Sequence, residues 1–533
     1  MIENKVFASG QAIRTVLSPT VHGSETSRTQ NQSLCGFAAS SGVLNPQENK
    51  THVVKYFDVN LFLFGSAIGL LNSFFYKSFT AMMLLSAIEI LLCIFFLLRR
   101  DHANFLGIYM FAVCFSLESS NYVGDEVFYS LKNTRFLGLN LAVWILLPLV
   151  ILVIKNYELL LNNQDKINKS LIRKIALYTF LVILMGLITY VLDDNGISSQ
   201  SGSFTILVNT AYSYILPFFE ICIVSLLVYL KIDRLETIKK YLYAIIVADT
   251  VVFLACMIFR NYGNRGGLES LQVSEVSFIV ACALVTIVYK DFQLFDKILL
   301  TICSVIILLL SLIYNSSGKL LFVVVLAPIA MIIIAKRKGM TVMTLLGGFF
   351  AVLAFVFIVT WLLPQLIQGN QLLGIKFDQF TSFITLGPDW LNNMAESPKM
   401  RIAEFMNIID EYMRKPWYLL FGKGCCGTIR DNLGLFSELT TFAFSEWELE
   451  LGAFYTVHES LNIFFLSGGL YGLYVLLSIC GQIYRNLEKS PWLVIGGIWL
   501  LLFYTYHMSL SFYGIVALVV GMADLNKKRE MEA

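Results

Sequence analysis

Long apolar segments alternate with short polar ones along most of the chain, from residue 57 to residue 523. A helix that crosses a bilayer needs about 20 mainly apolar residues. The pattern therefore predicts about 14 transmembrane helices. The predicted spans are 57–76, 80–98, 103–118, 137–154, 175–192, 206–230, 242–259, 273–289, 298–314, 319–335, 341–363, 457–484, 491–506 and 508–523.

The composition agrees with this pattern. The 533 residues are 57% hydrophobic and only 14% charged, whereas soluble domains carry about one-quarter charged residues. A chain this long and apolar cannot hide its surface in a soluble core. We therefore expect an all-α polytopic membrane protein. The net charge of +2 gives no reason to expect a nucleic-acid partner.

Lysine and arginine in short loops predict the orientation, because such loops favour the cytoplasm. With alternating spans, the basic loops 99–102, 155–174, 231–240, 290–297, 336–338, 485–489 and 527–529 share one side. This arrangement predicts a multi-pass protein of the bacterial inner membrane with both termini in the cytoplasm. The predicted parts are a disordered cytoplasmic tail (1–56), membrane helices 1–11 (57–363), a large periplasmic loop (364–456), membrane helices 12–14 (457–523) and a second tail (524–533).

A structureless loop of about 90 residues would be unusual, so we expect the periplasmic loop to fold. Segment 389–413 has a helical period, with Ile402, Phe405, Met406 and Ile409 on one face. Proline suits the first turn of this helix at position 398 and ends it at 416. Segment 436–451 predicts a second, weaker helix. Both could form a cap along the outer membrane face, and the alternative is a simple linker.

Six of the cations on the predicted external side, where the orientation rule makes them less expected, are candidates for ligand binding. Arginine binds a diphosphate in a bidentate manner and stays charged. Each of the six could instead pair with a nearby acid or a lipid headgroup. They are Arg260, Arg265, Arg401, Arg414, Lys423 and Arg430. Arg401 is the best candidate because it opens the loop helix, and Arg265 is second because Gly266 and Gly267 follow it.

His458 lies where the periplasmic loop enters a membrane helix, with Glu459 next to it. A histidine that titrates near neutral pH can serve as a general base. The alternative is a polar residue at a helix start that hydrogen-bonds locally. The lysine of the glycine-rich segment 421–424 fits a turn better than a phosphate loop, since the GxxxxGK[ST] pattern is absent.

Four acids fall inside predicted spans, where a charge is costly and usually faces a cavity or a partner. They are Glu89, Glu220, Asp249 and Glu275. They could line a polar groove for a lipid-linked sugar, or they could relay protons in a transporter. Most cysteines lie in apolar runs and are predicted to be small core residues. Cys425 and Cys426 are adjacent, and a disulfide between them would be strained.

Three stretches in the second half of the chain occur in a familiar order. The first is Tyr314–Leu321, YNSSGKLL. The second is Arg401-Ile402-Ala403 followed by PWYLLFGKG at 416–424, and the third is HESL at 458–461 followed by GGLYGL at 468–473. With a large external loop before the last helices, this set resembles the bacterial O-antigen polymerase and O-antigen ligase superfamily. The resemblance covers residues 298–523.

The resemblance implies a GT-C-like membrane glycosyltransferase fold that uses no metal or other cofactor. Its donor would be a glycan on undecaprenyl diphosphate. Arg401 matches the diphosphate-holding arginine that opens the loop helix. His458 matches the histidine that serves as the proposed base in ligases, and Glu459 stands where the family usually has asparagine.

Further diphosphate-binding candidates follow from the same resemblance. Arg265 corresponds to a family arginine only by its place in an external loop, and Arg260 and Arg414 are additional external cations. The family's first motif usually contains Ser-Arg-Gly, whereas this chain has Ser317-Gly318-Lys319. Lys319 would then replace the arginine.

The sequence-based hypothesis is a polymerase that joins undecaprenyl-diphosphate-linked repeat units into surface polysaccharide. Its partners would be these lipid-linked glycans, membrane lipids and a chain-length regulator protein. A ligase that passes the glycan to lipid A core or to protein is the alternative enzyme; the helix count and the long tail favour the polymerase. A lipid-linked oligosaccharide flippase is the alternative from another class, but it predicts internal two-fold symmetry, and no internal repeat stands out.

Overall fold

The computed structural model describes residues 56–117, 129–158, 168–215, 235–273, 293–310, 314, 396–436 and 444–486, without positions 132, 138, 156, 209, 213, 266 and 267. Several predictions lie outside these residues. They are the spans 273–289, 319–335, 341–363, 491–506 and 508–523, most of 206–230, nearly all of both tails, loop segment 364–395, and the residues Glu220, Glu275 and Lys319.

The described part of the chain is mostly helical. Its elements are α1 (Val59–Phe75), α2 (Phe79–Leu98), α3 (His102–Phe115), β1 (Arg135–Phe136), β2 (Leu139–Asn140), α4 (Leu141–Lys155), α5 (Asn168–Val191), α6 (Leu235–Ile258), β3 (Tyr262–Arg265), β4 (Leu268–Leu271), α7 (Leu294–Leu310), α8 (Glu396–Arg414), α9 (Tyr418–Phe421), α10 (Glu446–Leu451) and α11 (Ser460–Asn486).

The first three helices begin where the sequence supplies a polar cap. The Asp58 carboxylate accepts hydrogen bonds from backbone N–H groups two and three residues later, at 2.9 and 3.3 Å. Ser78 and Asp101 each accept one from the residue three positions on, at 3.4 and 3.3 Å. These caps satisfy donors that a first helical turn leaves unpaired. Spans 57–76, 80–98 and 103–118 are thus confirmed as helices α1 to α3.

Four of the described helices are long and apolar enough to cross a membrane. The qualifying segments are Phe79–Leu98, Ile172–Val191, Lys240–Ile258 and Ser460–Ser478. Shorter apolar helices occupy Val59–Phe75, His102–Phe115 and Trp144–Lys155. This set indicates a membrane protein and agrees with the predicted positions of the corresponding spans.

The structure adds two short antiparallel hairpins that an all-α prediction omits. The second one follows α6, includes the candidate Arg265, and pairs Tyr262 with Leu271 and Arg265 with Leu268. Ladder hydrogen bonds give the backbone of this loop internal partners.

Helices α1, α3 and α6 approach closely through glycines. A Cβ atom at Gly65 of α1 would lie 3.3 Å from the Cβ of Ala248 on α6, and one at Gly69 would lie 2.5 Å from Val252. Since positions 65 and 69 lie beside positions 248 and 252, α1 and α6 run in the same direction. Gly107 of α3 leaves room for the ring of Tyr241.

Helices α5 and α11 pack together in opposite directions. Tyr178 of α5 stacks on Phe464 at 4.9 Å between ring centroids, and its hydroxyl lies 2.7 Å from that of Ser467. Nearer the start of α5, the Lys174 ammonium donates to the Ser478 hydroxyl at 3.2 Å. Because the residue nearer the start of α5 contacts the residue nearer the end of α11, the two helices are antiparallel.

The described part of loop 364–456 contains helices, as predicted. Helix α8 spans most of the predicted segment, includes position 398 in its first turn and ends before Pro416. Of the second predicted helix, 436–451, residues 437–443 lie outside the described residues, and Glu446–Leu451 is helical.

The two faces of α8 differ in an unexpected way. Met406, Ile409 and Met413 are exposed, although they continue the apolar period read from the sequence. The buried face instead carries several polar residues, because these have partners on α11 and in the following loop. It comprises Met400, Ala403, Glu404, Asn407, Ile408, Glu411 and Tyr412.

Candidate functional site

The start of α11 meets the buried face of α8 through a carboxylate. Glu404 is fully buried, and its Oε2 atom accepts the backbone N–H of His458 and the side-chain amide of Asn462, each at 2.9 Å. Its Oε1 atom contacts Nδ1 of the His458 ring. The same Asn462 amide also donates to the carbonyl of Arg401 at 2.9 Å. One carboxylate therefore joins two groups of His458, just before α11, and one group of Asn462 on α11 to the loop helix.

This contact defines the chemistry of the histidine. A carboxylate is an acceptor, so the Glu404 contact places the ring proton on Nδ1 and leaves Nε2 as the basic nitrogen of neutral His458. The ring of Phe444 stands edge-on at 5.7 Å between centroids. An oriented, carboxylate-supported imidazole is the arrangement that general-base catalysis requires.

An ion pair lies beside this buried pair. The Arg401 Nε atom is 3.0 Å from Oε1 of Glu459, with 19% and 43% of the two side chains exposed. Arg401 is one turn before Glu404 on α8, and Glu459 is adjacent to His458. Glu459 has a φ of 86°, an uncommon conformation for a residue with a side chain. The site thus places a partly exposed guanidinium next to a histidine–carboxylate pair.

Helix α11 is interrupted close to this site. Gly469 has φ 58° and ψ −145°, which breaks the helix. The break leaves carbonyls of the preceding turn without helical donors. The loop after α9 supplies them, since the N–H groups of Lys423 and Gly424 donate to Leu466 and Ser467 at 2.8 and 3.0 Å.

The Tyr412 hydroxyl reaches the same turn of α11. It donates to the carbonyls of Phe465 and Leu466 at 2.6 and 2.9 Å. Burial and the nearby Glu411 charge raise the pKa of this phenol, which keeps it a donor. The glycine-rich segment 421–424 is therefore a turn, as predicted, and it locks the loop onto the broken helix.

A buried lysine of this loop forms an ion pair with α8. The Lys423 ammonium, only 2% exposed, lies 3.0 Å from Oε1 of Glu411 and 2.8 Å from the carbonyl of Thr428. Burial lowers the pKa of Lys423, and the Glu411 charge opposes that effect. Both partners of the Lys423 ammonium lie in the protein interior, so this lysine is a buried structural residue.

Asp194, which follows α5, receives two further contacts from the loop. Lys415 pairs with its Oδ1 atom, and the Tyr418 hydroxyl donates to Oδ2 at 2.5 Å. Burial alone would raise the pKa of Asp194, but the hydrogen bonds and the positive charges of Lys415 and Lys423 bring it below its usual value. These contacts hold the loop on the end of α5.

Arg414, another predicted cation of α8, stands apart from Arg401. Arg414 lies 13 positions later on the same helix, about 20 Å away at the rise of an α-helix, and pairs with Asp410 at 2.8 Å. Arg260 is exposed at the end of α6, and Arg265 ends strand β3. Among the predicted residues, the structure brings together Arg401, His458 and Glu459.

Sequence reasoning missed Glu404 and Asn462. Their spacing carried a signal, because Glu404 lies three residues after Arg401 and Asn462 lies four residues after His458. Residues three or four apart share one helix face. That the two faces meet could not be read from either helix alone.

Two adjacent cysteines also lie in this loop. Cys425 and Cys426 are both free and buried, and burial raises the pKa of these thiols to about 12 and about 11. Within the described ranges, no group of three or more His, Cys, Asp or Glu side chains could hold a metal ion.

The chain matches no protein-family model, and neither the curated proteins nor the solved structures contain a significant match.

Proposed function

We propose that this protein is a membrane glycosyltransferase that polymerises undecaprenyl-diphosphate-linked repeat units into surface polysaccharide at the periplasmic face. The single observation that carries the proposal is the placement of Arg401 and Glu459 next to the His458–Glu404 pair. An anion-binding guanidinium beside a supported base is what such a transfer requires.

The proposed roles follow from the charges that develop in the reaction. Undecaprenyl diphosphate leaves with a growing negative charge, which Arg401 would stabilise. Incoming diphosphate would compete with Glu459 for the guanidinium. The acceptor hydroxyl has a high pKa, and Nε2 of His458 would take its proton while Glu404 holds the ring in place.

The packing of the helices supports a site on one side of the membrane. Helices α1 and α6 run in parallel, while α5 and α11 run antiparallel. Numbered by the predicted spans, these are helices 1 and 7 and helices 5 and 12, so the directions are compatible with the alternation inferred from the basic loops. The GT-C-like fold and the count of about 14 spans remain part of the proposal.

The test is a polymerisation assay with purified protein and undecaprenyl-diphosphate-linked repeat units in the presence of a metal chelator. Wild type should produce a ladder of longer glycans, and Arg401→Ala should abolish it. Arg414→Ala is the matched control, since it removes a cation from the same helix about 20 Å away and should retain the ladder.

Two further outcomes separate the alternatives. A ladder that survives in His458→Ala would exclude this histidine as the base. If wild type forms no ladder with its cognate repeat unit, the polymerase proposal fails. Product on added lipid A core would then identify a ligase, and transbilayer movement of the unextended lipid would identify a flippase.

A further inference from the structure

One fully buried acid of the described helices, Asp249, takes no part in the His458 site. Asp249 is at the centre of the apolar segment Lys240–Ile258 of α6 and has no exposed surface. Within the part of the chain that the structure describes, neither of its carboxylate oxygens has a hydrogen-bond partner. An isolated carboxylate in such surroundings would cost far more free energy than a neutral or cation-bound one.

The packing of α1 on α6 places a hydroxyl opposite this carboxyl. Ser73 of α1 and Cys256 of α6 are at the same level, because the Asn261 amide contacts the Ser73 carbonyl at 2.8 Å and the Cys256 sulfur at 3.8 Å. Ser66 precedes Ser73 by seven residues, as Asp249 precedes Cys256, and positions seven apart lie on one helix face. Because the two helices are parallel, Ser66 is at the level of Asp249. The Ser66 hydroxyl is also buried and also lacks a hydrogen-bond partner.

Buried polar groups continue along this seam toward the β3–β4 hairpin. The Cys256 thiol donates to the carbonyl of Gln272 at 3.3 Å, and the Asn261 amide donates to the carbonyl of Ser73 at 2.8 Å. The Gln272 side chain is fully buried, and both of its polar atoms lack partners. Polar groups therefore reach from the hairpin end of the bundle to its centre.

Among the described elements packed against α6, no cation stands at the level of Asp249. Helix α1 carries no titratable residue. On α7, Asp296 is level with Tyr243 of α6, because the Tyr243 hydroxyl donates to its carbonyl. Tyr243 lies six residues before Asp249, so Lys297, the residue after Asp296, is not level with Asp249. The titratable residues on the other elements packed against α6 are His102, Tyr109 and Cys114 on α3, Asp296, Lys297 and Cys303 on α7, and Glu269 on β4.

We propose that Asp249 and Ser66 form a buried site for a monovalent cation, a proton or a sodium ion, reached along the α1–α6 seam. A bound cation satisfies the carboxylate and the hydroxyl at once. This site is independent of the proposed glycan transfer, because none of its residues belongs to α8 or α11.

The test uses an apolar carbodiimide, which enters apolar regions and reacts with protonated carboxyl groups. Purified full-length protein in lipid nanodiscs is labelled across a pH series, with and without sodium, and the adducts are located by mass spectrometry. Labelling of Asp249 that falls as the pH rises and ignores sodium identifies a proton site. Labelling that sodium suppresses at constant pH, while choline does not, identifies a sodium site.

The variants make the result specific. Asp249→Asn should remove this adduct and leave any adduct on Glu89, the buried acid of α2, unchanged. Ser66→Ala should move the midpoint pH or the protective sodium concentration by roughly three- to tenfold in ion concentration. An Asp249 that is never labelled, or is labelled regardless of both pH and sodium, would overturn the proposal, and an unmoved midpoint in Ser66→Ala would remove the serine from the site.

Discussion

The role of Glu404 can be tested by two substitutions that separate folding from chemistry. Glu404→Ala removes the acceptor of three contacts, two of them at 2.9 Å, in a fully buried place. Each hydrogen bond to a charged group is worth about 1.5–3 kcal/mol. The three are not independent, so we expect a loss of about 3–5 kcal/mol, as for other broken buried pairs.

Glu404→Gln keeps the shape and one acceptor oxygen. We expect it to cost less than half as much stability as the alanine variant, because Asn462 or the His458 backbone can still be satisfied. It nevertheless removes the charge that holds the His458 ring. If His458 is the base, turnover should fall roughly 10²- to 10⁴-fold, the usual contribution of a positioned base.

The assay measures thermal unfolding in detergent together with the kcat and KM of glycan extension. The control is Glu450→Gln, an exposed acid of α10 that should change neither quantity. Glu404→Gln should lower kcat with little change in KM, and its melting temperature should lie between those of wild type and Glu404→Ala. Full turnover in a stably folded Glu404→Gln protein would refute a positioning role and leave Glu404 a purely structural residue.

Three further predictions concern the loop. Asp194→Asn should be less stable than wild type at neutral pH. The pKa of Asp194 is lowered in the folded state, so its ionised carboxylate stabilises the fold above the unfolded-state pKa of about 3.9, and this stabilisation should vanish as the pH falls through the folded-state pKa. Equal melting temperatures of the two proteins at pH 7 would contradict this prediction. Gly469→Ala should prevent normal folding, since the new Cβ would lie 2.5 Å from the carbonyl oxygen of Leu419 and the residue has a positive φ. The control Gly434→Ala also has a positive φ but open space around it, and should lower the stability by only about 1 kcal/mol. Equal yields of monodisperse protein from the two variants would show that the helix break tolerates a side chain. Trp417 is 61% exposed and follows α8, whose apolar face is also exposed, so we expect its side chain to lie in the membrane interface. A variant that keeps Trp417 as its sole tryptophan should therefore lose fluorescence in brominated lipids. Undiminished fluorescence would place this side chain in water.

Much of the helical framework could be predicted from local pattern. The four long apolar helices and the caps at Asp58, Ser78 and Asp101 depend on residues close in the sequence. The loop helix was predicted for the same reason, together with its limits near positions 398 and 416. The β3–β4 hairpin was missed because a short polar loop carries no strong alternation.

The candidate site shows what local pattern could not provide. Arg401 and His458 were identified by residue type and by resemblance, but their partners came from 54 or more residues away in the chain. The pairing of Lys423 with Glu411 likewise turned a candidate external cation into a buried structural one.

The sequence by itself determined that the chain is rich in apolar helices, where those helices lie and which polar residues stand out against them. These properties follow from the 20-residue length of a span and from the 3.6-residue period of a helix. Only the tertiary structure decided that the buried face of α8 includes Glu404, Asn407 and Glu411. It also decided that Glu404 supports His458 and that Ser66 lies level with Asp249. Such pairings depend on which helices pack together and in which direction, and no helix carries that information in its own residues.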